Sequence, residues 1–91
     1  MAENPSYHNI MEDVALRHLD GVLEADGGCR CAACRADVMA LALNHLQPHY
    51  VVSDRGRMLV QLNSYDGQFR TDVVAALSQA RQVVRARPRH G

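Results

Sequence analysis

The sequence predicts a small, mainly α-helical protein with one short β-hairpin near residues 50–62. Two stretches, residues 6–25 and 68–87, repeat their apolar residues at helical spacing, and residues 32–46 are apolar almost throughout. Between the second and third of these lies a β-prone run of turn composition.

The first helix is expected over residues 6–25, with Ser6 as its cap and Gly27-Gly28 as its stop. On a helical wheel Ile10, Met11, Val14, Ala15, Leu16, Leu19, Val22 and Leu23 cover roughly 240°. Asp13, Arg17, Asp20 and Glu24 lie opposite. So wide an arc exceeds what one neighbouring helix covers, which points to a second contact surface such as another subunit. His18 projects from the arc and reads as a hydrogen-bonded core histidine rather than a ligand.

Residues 32–46 read as the central, buried helix, ended by Pro48. Tyr50-Val51-Val52 and Met58-Leu59-Val60 then flank Ser53-Asp54-Arg55-Gly56-Arg57, which reads as a hairpin. The spacing of Leu59, Leu62, Phe69 and Val73 also permits a long helix there. In the last helix Phe69, Val73, Ala76, Leu77, Ala80, Val83 and Val84 form a stripe of about 120°. Arg70, Arg81 and Arg85 line its flank, and Pro88 ends it.

Length and composition bound the function. The 91 residues read as one domain, 1–91. A chain of this size buries only roughly 60–65% of its unfolded surface, so a metal, ligand or partner should add stability. A hydrophobic content of 47% excludes a disordered chain. No apolar run reaches the ~18–20 residues of a membrane span, and no export signal stands at the N-terminus, so the expected location is the cytoplasm. Zero net charge argues against nucleic acid as a partner. All ten cations are Arg. A GC-rich genome produces that bias without functional meaning, while Arg also suits phosphate and purine recognition.

The strongest chemical signal is Cys29-Arg-Cys31-Ala-Ala-Cys34, which holds every cysteine of the chain. The odd count, tight spacing and reducing compartment argue against disulfides. A structural zinc ion accounts for the cluster better, because C-x-x-C places two sulfurs on one ion and a helix N-terminus favours thiolate. A redox-sensing thiol cluster and simple coincidence are the competing readings. Three cysteines leave the site one ligand short, and His90, on the tail beyond Pro88, is the expected fourth. His8, His18, His45 and His49 lie on or beside the first two helices. With no nucleophile–base pair, no glycine-rich phosphate loop and no paired carboxylates in apolar surroundings, the chain is not expected to be an enzyme.

The run of residues 29–53, C-x-C-x-x-C followed by Asp37-Val38, Ala40-Leu41-Ala42-Leu43-Asn44, Pro48 and Tyr50-Val51, resembles the signature of the late competence development protein ComFB family. The resemblance extends to Asn9-Ile10-Met11-Glu12 and Pro88-Arg89-His90. It implies a mainly helical homodimer with zinc on the cysteine cluster, acting in competence, motility or pilus regulation as a receptor for cyclic dinucleotides such as cyclic di-GMP. Some members add a fourth cysteine in the C-terminal tail, where this chain offers His90. A ligand with two phosphates and two purines calls for Arg forks, stacking planes and a group that reads the guanine edge. Tyr50, Ser53, Asp54, Arg55, Gly56 and Arg57 supply these; family members often carry an aromatic residue where Arg57 stands. Without the resemblance this segment is an ordinary solvated turn. The alternative function is an adaptor that binds a protein of the competence or pilus machinery and no small molecule.

Overall fold

The computed structural model describes residues 6–53 and 56–87. The chain runs β1 (Ser6–Asn9), α1 (Ile10–Ala25), α2 (Ala32–Asn44), β2 (Tyr50–Ser53) and α3 (Met58–Ala86). The expected mainly α fold with a short antiparallel strand pair is present, and β2 falls where the sequence places it.

Its partner differs from expectation. β2 pairs antiparallel with β1, with Tyr7 opposite Val52 and Asn9 opposite Tyr50. Residues 6–9 are therefore a strand, and Asn9 rather than Ser6 caps α1: its Oδ1 accepts from Met11 N at 3.1 Å. The same oxygen accepts from His49 N at 2.9 Å, and Ile10 N donates to His49 O at 2.9 Å. One asparagine thus starts the helix and joins the two strands.

Met58-Leu59-Val60, the other half of the expected hairpin, forms the first turn of α3. Helical phase brings Leu62, Tyr65 and Phe69 onto the core side. Tyr65 and Phe69 pack on His49, with ring centroids 5.7 and 4.6 Å from it. A strand at residues 58–60 would forfeit that alignment. At 29 residues α3 is ~44 Å long, which accounts for the 48 Å long axis of the molecule.

α3, not α2, is the central element: its packing against α1 and against α2 is in each case more extensive than that of α1 against α2. The core joins Met11, Val14, Leu19 and Leu23 of α1, Val38 and Ala42 of α2, and Val73, Leu77 and Val84 of α3. Only Cys34, Val38 and Ala42 of α2 are buried, because the helix lies on α3 along a single face. The wide apolar arc of α1 is mostly covered within the chain, with Leu16 left exposed. Excess apolar surface appears instead at Tyr7, Tyr50, Val52, Leu59 and Val60. Among the described residues no helix is long and apolar enough to cross a membrane.

Candidate metal centre

α1 ends at Ala25, and Gly27 follows with φ of 67°, a left-handed conformation that glycine adopts without strain. This turn sends the chain across the end of α3 and into the cysteine loop. Cys31 is the cap of α2: its sulfur accepts from Cys34 N at 3.5 Å. The sulfurs of Cys29, Cys31 and Cys34 all lie within 4.8 Å of one another, Cys34 buried and the other two exposed. A tetrahedral thiolate centre with metal–sulfur bonds of ~2.3 Å spaces its sulfurs ~3.8 Å apart, so small side-chain rotations suffice to seat one ion.

The electrostatics differ along the cluster. The Cys34 N–H, and then the neighbouring Cys29, lower the pKa of Cys31. Burial, and then the adjoining sulfurs, push Cys34 up to about 11. A divalent ion reverses the second effect, because it compensates the charge that burial penalises. The donor set therefore fits a metal ion.

Two residues that the sequence reading did not single out shape this loop. Arg81, only 3% exposed, grips Asp26 from α3. Nε lies 2.9 Å from Oδ2 and Nη2 lies 3.1 Å from Oδ1. Nη1 donates to Cys29 O at 2.6 Å, and Gly28 N donates to Asp26 Oδ1 at 2.9 Å. Arg81, and then Gly28 N–H, hold the Asp26 carboxyl down at about 2. Arg81 does lie on the flank of the helix stripe, and there it is buried because its partner is a carboxylate tucked beneath the loop. One signal was available: an aspartate at a helix C-terminus opposes the helix dipole and calls for a cation.

His90, Asp54 and Arg55 lie outside the described residues. Tyr50 stands on β2 beside Tyr7, with ring centroids 6.2 Å apart. Ser53 ends β2 opposite Ser6, while Gly56 and Arg57 form the turn into α3, where Arg57 O accepts from Gln61 N at 2.9 Å. His18 is hydrogen-bonded as expected, to Asp66, but it is partly exposed rather than in the core.

A sequence model described as "Late competence development protein ComFB" matches residues 8–88. The chain belongs to the ComFB family. It is 29% identical over 79 residues to the Competence protein ComFB of Bacillus subtilis (strain 168), covering 87% of this chain and 78% of that protein. A solved structure of the late competence protein ComFB from Bacillus subtilis superposes on it with a TM-score of 0.75 at 29% identity. That match covers 91% of this ComFB-family chain and 92% of the other. The fold and the family are thereby established together.

Proposed function

We propose that this chain is a cytoplasmic, non-enzymatic regulatory protein. In this reading a structural zinc ion staples it, and a cyclic dinucleotide, foremost cyclic di-GMP, controls its contact with the competence, motility or pilus machinery. The observation that carries the ligand reading is the tyrosine pair. Tyr7 and Tyr50 are 77% and 66% exposed and stand side by side on the ladder. Such rings are stacking planes for purines, and guanidinium forks suit the phosphates. Arg57 stands at the start of α3, four positions after the end of β2, and Ser53, Asp54 and Arg55 join the proposed set on sequence grounds.

Zinc is the metal that three thiolates in a reducing compartment select, and bound there it cross-links the α1–α2 loop. His90 is the proposed fourth ligand. Arg85, in the last turn of α3, reaches Asp26 Oδ2 at 3.4 Å, so α3 ends on the cysteine side of the molecule. The four residues that follow Ala86, up to His90, reach at most ~13 Å.

Tyr7, Tyr50 and Val52 share one face of the ladder, and Leu59 and Val60 are also exposed on the turn of α3 that follows. A second copy of the chain covering the Leu59 and Val60 part of this surface, with the tyrosines left open to the nucleotide, would make the homodimer. The same exposed apolar residues favour the second reading, an adaptor that docks on a protein partner and takes no nucleotide.

Calorimetry with cyclic di-GMP and cyclic di-AMP tests the proposal. Binding at micromolar levels or tighter is expected, lost in Tyr50→Ala and Arg57→Ala variants that keep the helical circular dichroism. No heat at ~100 µM of either nucleotide favours the adaptor.

A further inference from the structure

The Asp26–Arg81 pair does more than join α1 to α3. Arg81 is held on two sides by Asp26 and directs its remaining amino group to the carbonyl of Cys29, fifty-two positions earlier in the chain. That carbonyl belongs to the first residue of the cysteine cluster. The clamp therefore sets the backbone from which the Cys29 sulfur is presented. Glycine at 28 is part of the arrangement, since a Cβ there would collide with Arg81 Nη2.

Charge points the same way. Three thiolates on one divalent ion carry a net charge of −1, and a neutral fourth ligand leaves it unchanged. Asp26, Arg81 and Arg85 form a connected group of net charge +1 directly behind the loop. Arg81 is buried, so its charge is poorly screened by water.

We propose that Arg81 is a positioning residue of the metal centre: fixed by Asp26, it orients the Cys29 backbone and balances the excess negative charge of the metal–thiolate cluster. The inference rests on the metal reading of the cysteines. It assigns part of the metal affinity to a residue on a distant helix. An isolated 26–35 segment is then expected to bind the ion more weakly than the folded chain.

The test uses the full chain and zinc alone, in competition with a chromogenic chelator near pH 7. Circular dichroism melts with and without metal accompany the titration. The unmodified chain comes first: if it takes no zinc at micromolar concentrations, the metal reading fails, and this inference with it. If it binds, Arg81→Met is expected to keep its helical spectrum and to bind zinc at least ~10-fold more weakly, with a smaller zinc-induced rise in Tm. Arg81→Lys retains the charge without the fork and should recover part of the affinity. Gly28→Ala leaves every charge in place and displaces the fork; it decides the matter if Arg81→Met does not fold, and is expected to weaken zinc several-fold. Equal losses of Tm with and without metal, at unchanged zinc affinity, would reduce Arg81 to a structural clamp and overturn the proposal.

Discussion

Asp66 of α3 receives His18 Nε2 of α1 at 2.5 Å, beneath the surface where the two helices cross. Arg17 Nη1 and Arg70 Nη2 bind its other oxygen at 3.1 and 3.2 Å. Asp66 is 4% exposed, so a buried carboxylate is fully occupied by three partners that themselves reach solvent to differing degrees. Replacing it by Ala strips all three of their shared acceptor. Removing one partner of a buried pair costs about 3–5 kcal/mol, and the exposure of these cations lowers the expected loss to about 2 kcal/mol. The denaturant midpoint of Asp66→Ala measures it; a loss under about 0.5 kcal/mol contradicts the hub role.

Acid stability follows from the same residue and from Asp26. The hydrogen bond from His18, followed by those from Arg70 and Arg17, holds Asp66 well below the usual carboxylate range, and Arg81 holds Asp26 at about 2. In the unfolded chain both return to about 3.8. Below roughly pH 4 the unfolded state therefore binds more protons, and stability falls as pH drops through that window. It is fully present above it. Metal-free protein, kept so with chelator, should show this slope between pH 5 and about 2, and Asp66→Asn should flatten it. Parallel profiles for the two proteins contradict the assignment.

Chelation should lower the Tm of the native chain. A variant with Ser at 29, 31 and 34 should melt at one temperature with or without chelator. Cys31→Ala is expected to lose more than Cys29→Ala in metal-free protein, because Cys31 also caps α2. Equal metal-free Tm values for those two variants would show that the sulfur cap contributes nothing.

Asn9→Ala should cost about 1–2 kcal/mol, the upper end of capping effects, since its side chain also receives His49 N. Hydrogen exchange at Met11 and His49 amides should accelerate together. Faster exchange at Met11 alone would mean that the two strands hold without the bridge.

Gly27→Ala places a Cβ on a residue with φ of 67° and should destabilise by about 1 kcal/mol. No neighbour lies within 4 Å of that Cβ, so the effect should be conformational and leave the core unchanged.

Much of this architecture was legible in the amino-acid order. Helical periodicity found α1 and the C-terminal two-thirds of α3, and Gly27-Gly28 and Pro48 marked real helix ends. The spacing of Cys29, Cys31 and Cys34 identified the one group of residues whose chemistry needs no tertiary information, because six consecutive positions cannot separate far. What local composition misjudged was pairing, while the spacing of Leu59, Leu62, Phe69 and Val73 already permits the long helix that forms. Tyr50-Val51-Val52 is a strand by composition, yet a strand's partner is decided by which other backbone reaches it, and residues 6–9 do so because Asn9 turns α1 away at the right point. Met58-Leu59-Val60 is β-prone locally and helical in fact, since only the helix aligns Tyr65 and Phe69 over His49.

Local order thus determined the helical class, the helix stops and the sulfur cluster, all of which depend on neighbours a few residues apart. Tertiary structure alone decided that β1 meets β2, that α3 rather than α2 is central, and that Arg81 is buried on Asp26 rather than solvated. The first and the last of these depend on residues some forty or more positions apart in the chain. A helical wheel shows where an arginine points, and only packing decides whether a carboxylate awaits it there.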